Sequence, residues 1–259
     1  MCTVSVVALA GGGVRVLCSR DEQRSRRRAE PVAERACGDR RAIFPRDPDG
    51  GGTWVGVNDA GVGLALLNRT DEGPGQSGMA AQMLASRGEI IPGLLRAGSL
   101  DEVVCLAEAL DPGRFRPFRL MAFDVDEAAL TREDGGRVRV VWRERADEPR
   151  METSSGLGDH LVERPRRGVF DQMVLGAFAG EAGPDGVLVA QAAFHAHRWP
   201  DRPELSVDMT RADAETVSLT ELEIDAGAVR IRYLDGHPRD ADGERWVEKT
   251  LRVVQPVAR

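Results

Sequence analysis

The stretch that decides the fold comes first: MCTVSVVALAGGGVRVLCSRDE, residues 1–22. Two apolar, β-branched runs, Thr3 to Leu9 and Val14 to Ser19, flank the triplet Gly11-Gly12-Gly13. Runs of that composition joined by glycines predict a β-hairpin at the start of the chain. Residues facing one another across two paired strands lie within about 5 Å. The open ends of the hairpin therefore bring Cys2 beside the segment Ser19-Arg20-Asp21.

Cys2 directly follows Met1, so cutting one peptide bond would make it the N-terminus. A thiol becomes a strong nucleophile only as thiolate, and an ordinary cysteine, with a pKa of about 8.5, supplies little of it at neutral pH. A free α-amine on the same residue titrates near ~8 and can accept the thiol proton. That internal base removes the need for a catalytic histidine. Arg20 would favour the thiolate by charge, and Asp21 could orient the amine. An attacked carbonyl also needs donors for its developing oxyanion. Asn58 and Asn68 are the candidates in the next hairpin. The alternative for Cys2 is a small buried residue of a first strand, with Arg20 and Asp21 as a turn salt bridge.

Further along, a polar stretch to about Gly52 reads as a long loop. In GGTWVGVNDAGVGLALLNRTDE, Thr53 to Val57 and Val62 to Leu67 read as strands around the turn Asn58-Asp59-Ala60-Gly61. Trp54 reads as core or pocket wall. Met79 to Ala85 is a helix candidate, and Ser99-Leu100-Asp101-Glu102 is a capping box opening a helix through Leu110, with Cys105 on its apolar face. Phe118 to Val125 and Val138 to Arg143 return to strand. Arg166 to Phe178 and Val187 to His197 have helical spacing. A last hairpin, Glu215 to Ile224 and Val229 to Leu234, turns at Asp225–Ala228. No linker or repeat divides the 259 residues, so one α+β domain of antiparallel sheets with helices outside is expected over residues 1–259.

Composition narrows the function classes. The chain is 42% hydrophobic and 30% charged, with a net charge of -7, which argues against a nucleic-acid protein. The cluster Arg24-Ser25-Arg26-Arg27-Arg28 reads as a solvated loop. No apolar run approaches the ~20 residues of a membrane span, and the first ten residues are too short for a signal peptide. Cytoplasmic residence is the default expectation. Cys2, Cys18, Cys37 and Cys105 form no C-x-x-C pair, and His160, His195, His197 and His237 have no zinc-like partners, so neither a metal site nor a disulfide framework is expected.

Met-Cys-Thr at the start, Ser19-Arg20-Asp21-Glu22, and Gly-Gly-Thr-Trp-Val-Gly-Val-Asn at 51–58 resemble the NRDE family, also called the transport and Golgi organization protein 2 family. Its N-terminal region is similar to the choloylglycine hydrolase and penicillin V acylase branch of the N-terminal nucleophile hydrolases. These begin Met-Cys-Thr and share an Asn-x-x-Gly…Leu-Asn segment, here Asn58 to Gly61 through Leu67-Asn68. The resemblance implies a four-layer αββα sandwich of two antiparallel sheets. By matched motif it makes Cys2 the nucleophile, Arg20 and Asp21 its activating partners and Asn68 an oxyanion donor. Trp54, Asn58, Asp159 and Arg211 are the expected substrate-side residues. Asp159 stands where the hydrolases place an asparagine, and Ser19 replaces the first Asn of the family motif.

The resemblance thus implies cleavage of a linear, non-peptide amide through a thioester, with no cofactor. It equally admits a non-catalytic binding module for haem or lipid-like cargo, in which Cys2 is a haem ligand or a relic. A small-molecule amide or lipid-like ligand is the expected partner, and a homo-oligomer stays open.

Overall fold

A computed structural model describes residues 2–70, 84–134, 136–180, 182–241 and 246–254. The first hairpin forms as its composition predicts. Strands β1 (Cys2–Ala8) and β2 (Val14–Gln23) are antiparallel, and Gly12 and Gly13 take φ values of 89° and 96° in the connection. A side chain on Gly13 would collide with the Ile224 carbonyl. The triplet thus serves both the turn and a close backbone approach.

The segment expected to be a loop carries β3 (Glu30–Cys37) and β4 (Arg40–Arg46), a correction to the sequence reading. In β3 the alternation is masked because the strand lies at a sheet edge with half of its residues, Glu30 and Glu34 among them, turned to solvent. Next come β5 (Val55–Asn58), β6 (Gly63–Asn68) and β7 (Phe118–Phe123), all on predicted runs. Also missed were β8 (Glu127–Asp134), β10 (Arg150–Thr153) and β13 (Trp246–Arg252), while β9 (Arg137–Arg145) extends its predicted run. Strands β11 (Ala214–Ile224) and β12 (Ala228–Asp235) form the expected hairpin, which β13 then extends.

These strands make two antiparallel sheets. One has the order β10-β1-β2-β11-β12-β13 and the other β3-β4-β5-β6-β7-β8-β9. Between them lies one apolar cluster that includes Cys2, Val4, Val16, Cys18, Trp54, Val57, Leu67, Phe123 and Ile231. The second sheet packs its outer face on α1 (Ile90–Leu94) and α2 (Leu100–Glu108). The first sheet packs its outer face on α3 (Asp159–Phe170) and α5 (Gly183–His195), which are joined through a π turn and the short α4 (Gly176–Ala179). The architecture is the expected αββα sandwich.

Ser99 caps α2 by accepting the Glu102 N–H. The buried stripe of that helix is Leu100, Val103 and Ala107, so Cys105 is exposed rather than buried. Helix α3 begins seven residues before its predicted start and holds Pro165 in its interior. The candidate helix Met79 to Ala85 lies largely outside the described residues.

One backbone contact fixes how the β5 approach meets α1. Thr53 N–H donates to Gly88 O at 3.0 Å, and a Cβ on Gly52 would fall 2.0 Å from that same oxygen. Gly52→Ala should therefore destabilise the fold by about 1–3 kcal/mol, the cost of forcing packed backbone apart. Gly11→Ala, with open space around it, should stay within about 0.5 kcal/mol of wild type. Urea denaturation of both variants measures the difference.

Candidate active site

The β1–β2 register sets Cys2 directly opposite Arg20 and Val4 opposite Cys18. With period-2 alternation, Cys2, Cys18 and Arg20 all point into the space between the sheets. Cys2 is 3% exposed. The Cys18 thiol hydrogen-bonds the Cys2 sulfur and pulls the Cys2 thiol below its ordinary pKa. Burial and the Asp21 charge oppose this, and Arg20 assists. The same hydrogen bond, with burial, pushes Cys18 well above the ordinary range, so Cys18 stays a protonated donor. Sequence reasoning assigned Cys18 to structure. The signal that could have found it is its place two residues before Arg20, on the same strand face.

Arg20 is itself firmly held. Its Nη2 donates to Asp47 at 2.9 Å and to Glu22 at 3.1 Å, and its guanidinium lies 4.2 Å from the Trp54 ring centroid. Two carboxylates thus share its charge. Asp47, unnoticed in the sequence, also accepts from Arg26 and from the N–H groups of Asp49 and Gly50. The Arg24–Arg28 cluster is ion-paired to Glu215, Asp47, Asp49 and Asp235. With Arg20 and Tyr233 it borders a pocket of about 70 Å³.

Asp21 lies one step past the Cys2–Arg20 pair and on the opposite face of the sheet. It accepts from Thr216 Oγ1 at 2.6 Å and sits 3.9 Å from Nη2 of the buried Arg166. Burial pushes its carboxyl up, against the pull of Arg166 and Thr216. Arg166, one of several arginines in α3, donates to Thr3 Oγ1 and Thr153 Oγ1, both at 2.8 Å, and to the carbonyls of Leu205 and Ser206. It is the buried cation behind the site, and nothing in the local pattern distinguished it from Arg164 or Arg167.

Ser154 completes the surroundings of Cys2. The Cys2 N–H donates to Ser154 Oγ at 3.1 Å, and Ser154 N–H returns a bond to Cys2 O at 2.9 Å. The nitrogen that Met1 removal would free is thus already on a hydroxyl.

The remaining expected residues divide. Trp54 is buried beneath Arg20. Asn68 ends β6 beside Leu67, which packs in the same cluster as Cys2, and no hydrogen bond among the described residues engages its amide. Asn58 sits at the opposite end of the β5–β6 hairpin. Its Nδ2 donates to Leu95 O and Ala97 O, and its Oδ1 accepts from Ala60 and Val62 N–H, so it ties the turn to α1. Asp159 accepts from Arg119, Ser155 N–H and Thr70 N–H. Arg211 pairs with Asp213 next to Ala214, whose strand partner is Gln23. That is about 10 Å along β2 from Arg20. The structure therefore brings Cys2, Arg20 and Trp54 together and leaves Asn58 and Arg211 apart from them.

Ser19 also finds its reason behind the sheet. Its Oγ lies 2.7 Å from His195 Nδ1, and Ser5 Oγ lies 2.8 Å from His195 Nε2. Gln191 Nε2 donates to Ser5 Oγ at 2.9 Å. Among the described residues no group of three or more His, Cys, Asp or Glu is placed to hold a metal.

A family model described as transport and Golgi organisation 2 matches residues 15–164, more than half of the chain. Among solved structures, a Caenorhabditis elegans N-acylethanolamine-hydrolyzing acid amidase ortholog is similar with TM-score 0.60 and 12% identity, over 85% of this chain and 92% of its own. Two forms of a conjugated bile acid hydrolase from Clostridium perfringens give TM-scores of 0.46 and 0.47 at 13% and 12% identity. They cover 100% and 99% of this chain and 98% of each of theirs. No curated protein matches. The amidase likeness agrees with the layered fold described above.

Two outcomes follow from this geometry. Cys18→Ala removes the donor to the Cys2 sulfur, so the midpoint of iodoacetamide labelling against pH should move up. Cys18→Ser should restore part of the shift. Burial, aided by Arg15 and Arg166, pushes His195 down to about 3. The unfolded chain, near ~6.5, takes up a proton that the folded chain refuses, so His195 costs stability as pH falls from 6.5 towards 3, by up to about 1.4 kcal/mol per pH unit. Urea unfolding from pH 7 to pH 4 should show that slope in wild type and lose it in His195→Gln.

Proposed function

The chain belongs to the transport and Golgi organisation 2 family, and on that premise we propose that it is an N-terminal cysteine hydrolase of linear, non-peptide amides. The observation that carries the reading is the Cys2 environment: a thiol lowered by Cys18, opposite Arg20, with its backbone nitrogen on Ser154 Oγ. A buried thiol of purely structural use gains nothing from a lowered pKa or from a nitrogen held on a hydroxyl.

The chemistry runs in two halves. With Met1 removed, the α-amine of Cys2 takes the thiol proton, and the thiolate attacks the amide carbonyl. A carbon–sulfur bond forms while the carbonyl electrons move onto oxygen. Asn68 is the proposed donor to that oxyanion. The tetrahedral adduct then collapses, the carbon–nitrogen bond breaks, and the leaving amine takes the proton from the α-ammonium. In the second half, water attacks the thioester as the α-amine takes one of its protons. The carbon–sulfur bond breaks, the acid departs, and the proton returns to sulfur.

Ser154 Oγ holds the amine throughout, accepting from it so that its lone pair stays directed at the thiol. Asp21, one step along β2 and held there by Thr216 and Arg166, supplies the carboxylate charge that balances the ammonium from behind the sheet.

The test uses untagged protein. Intact mass should show loss of Met1, a cysteine-directed electrophile should label Cys2, and Cys2→Ala should lower amide turnover by at least about 10³-fold. Retention of Met1, or turnover that survives Cys2→Ala, ends the reading. A Soret band that shifts on haem titration and vanishes in Cys2→Ala would favour the carrier instead.

A further inference from the structure

The arginines bordering the pocket are matched to carboxylates: Arg20 to Asp47 and Glu22, Arg24 to Glu215, Arg26 to Asp47, Arg27 to Asp49 and Arg28 to Asp235. Arg87 is not. It is half-buried, and among the described residues its guanidinium makes a single hydrogen bond, from Nη1 to Pro117 O at 2.8 Å, and no ion pair. A cation withdrawn from water without an anion is costly, and proteins pair such groups.

The position of Arg87 says what would pair it. Pro117 O accepts a second bond, from Arg69 N–H at 3.1 Å, and Arg69 directly follows Asn68. The Arg87 guanidinium therefore ends at the same carbonyl that closes β6 after the proposed oxyanion donor. From the other side, Gly88 O receives the Thr53 N–H, which fixes Arg87 beside the segment leading into Trp54. Trp54 is 6% exposed, and its indole N–H has no acceptor among the described residues. The charge environment agrees. Burial and the neighbouring Arg116 pull Arg87 down to about 10, while the charges of Cys2 and Glu22 act in the opposite sense.

We infer that Arg87 is the receptor for a carboxylate on the substrate, so that the amide cleaved at Cys2 carries an anionic end group. With Nη1 on Pro117 O, the edge formed by Nε and Nη2 is left for the ligand, and a planar fork of that kind takes a carboxylate in two parallel hydrogen bonds. Arg87 acts in binding and selection, not in bond cleavage. This inference rests on the amidase reading for its substrate and on Arg87 for its selectivity, and the two can fail separately.

The experiment compares N-lauroylglycine with N-lauroylethanolamine, which share the acyl chain and differ in a terminal carboxylate or hydroxymethyl. Wild type should prefer the glycine amide by about tenfold in kcat/KM, expressed mainly in KM. Arg87→Gln should bring the ratio close to one, and Arg87→Lys, which keeps the charge without the fork, should retain part of it. A ratio unchanged in Arg87→Gln, with melting temperature preserved, overturns the inference. If neither amide is hydrolysed the amidase reading falls, and calorimetric binding of N-lauroylglycine then decides: about tenfold weaker binding to Arg87→Gln upholds the anion site. Equal affinity, or no binding to either protein, overturns it.

Discussion

The register of one strand pair governs the rest of this molecule. Cys2 faces Arg20 because β1 and β2 are in step, and a slip of one residue would send every side chain of one strand to the other face. The slip is prevented from both sides. Inward, Val4, Val6, Val16 and Cys18 must stay in the cluster between the sheets. Outward, Thr3, Ser5, Ser19 and Asp21 are each bonded to partners on the opposite face, namely Thr153, His195 and Thr216. Strand β2 also pairs along most of its length with β11, so it lies in the sheet interior and cannot shift by itself.

The two faces of that sheet divide the electrostatic labour. The face toward the second sheet holds two thiols and one guanidinium already shared between carboxylates, so little net charge confronts Cys2. The face toward the helices holds Asp21 and Arg166 together, both buried, each pulled towards neutrality by burial and towards ionisation by the other. Four hydrogen bonds from Arg166 and one from Thr216 to Asp21 make that burial tolerable, as a buried ion pair requires. The backbone nitrogen of Cys2 lies at the seam between these environments, on Ser154 Oγ.

How much of this could be read beforehand depended on the range of the contacts. The hairpins of β1–β2, β5–β6 and β11–β12 were legible because turn glycines and apolar runs are local signals. The Ser99 cap was legible for the same reason. Strand β3 was not, since an edge strand crowded with arginine and glutamate reads like a loop. Around the candidate site, the juxtaposition of Cys2 and Arg20 was legible because they fall at the two ends of one hairpin. Ser154, Asp47, Arg166 and Cys18 were not, although Cys18 is only a diagonal step from Cys2. The other three reach the site from strand ends or helices far off in the chain, and residue type says nothing of which arginine in α3 turns inward. A turn asparagine such as Asn58, which binds carbonyls of its own fold, looks in sequence like one that binds a ligand.

The polar latch between Ser5, His195 and Ser19 carries one more implication. Gln191 Nε2 lies near the carbonyls of Ser5 and Arg15 as well as Ser5 Oγ, so that end of the amide must be the nitrogen. Ser5 Oγ then receives a proton from Gln191 and spends its own on His195 Nε2. A neutral imidazole that accepts at Nε2 must donate at Nδ1, to Ser19 Oγ. The assignment follows from the bonding pattern, and it gives the chain of protons a single sense, from α5 through β1 and back across α5 to β2. Through these bonds one helix ties both strands of the first hairpin together by a single imidazole ring.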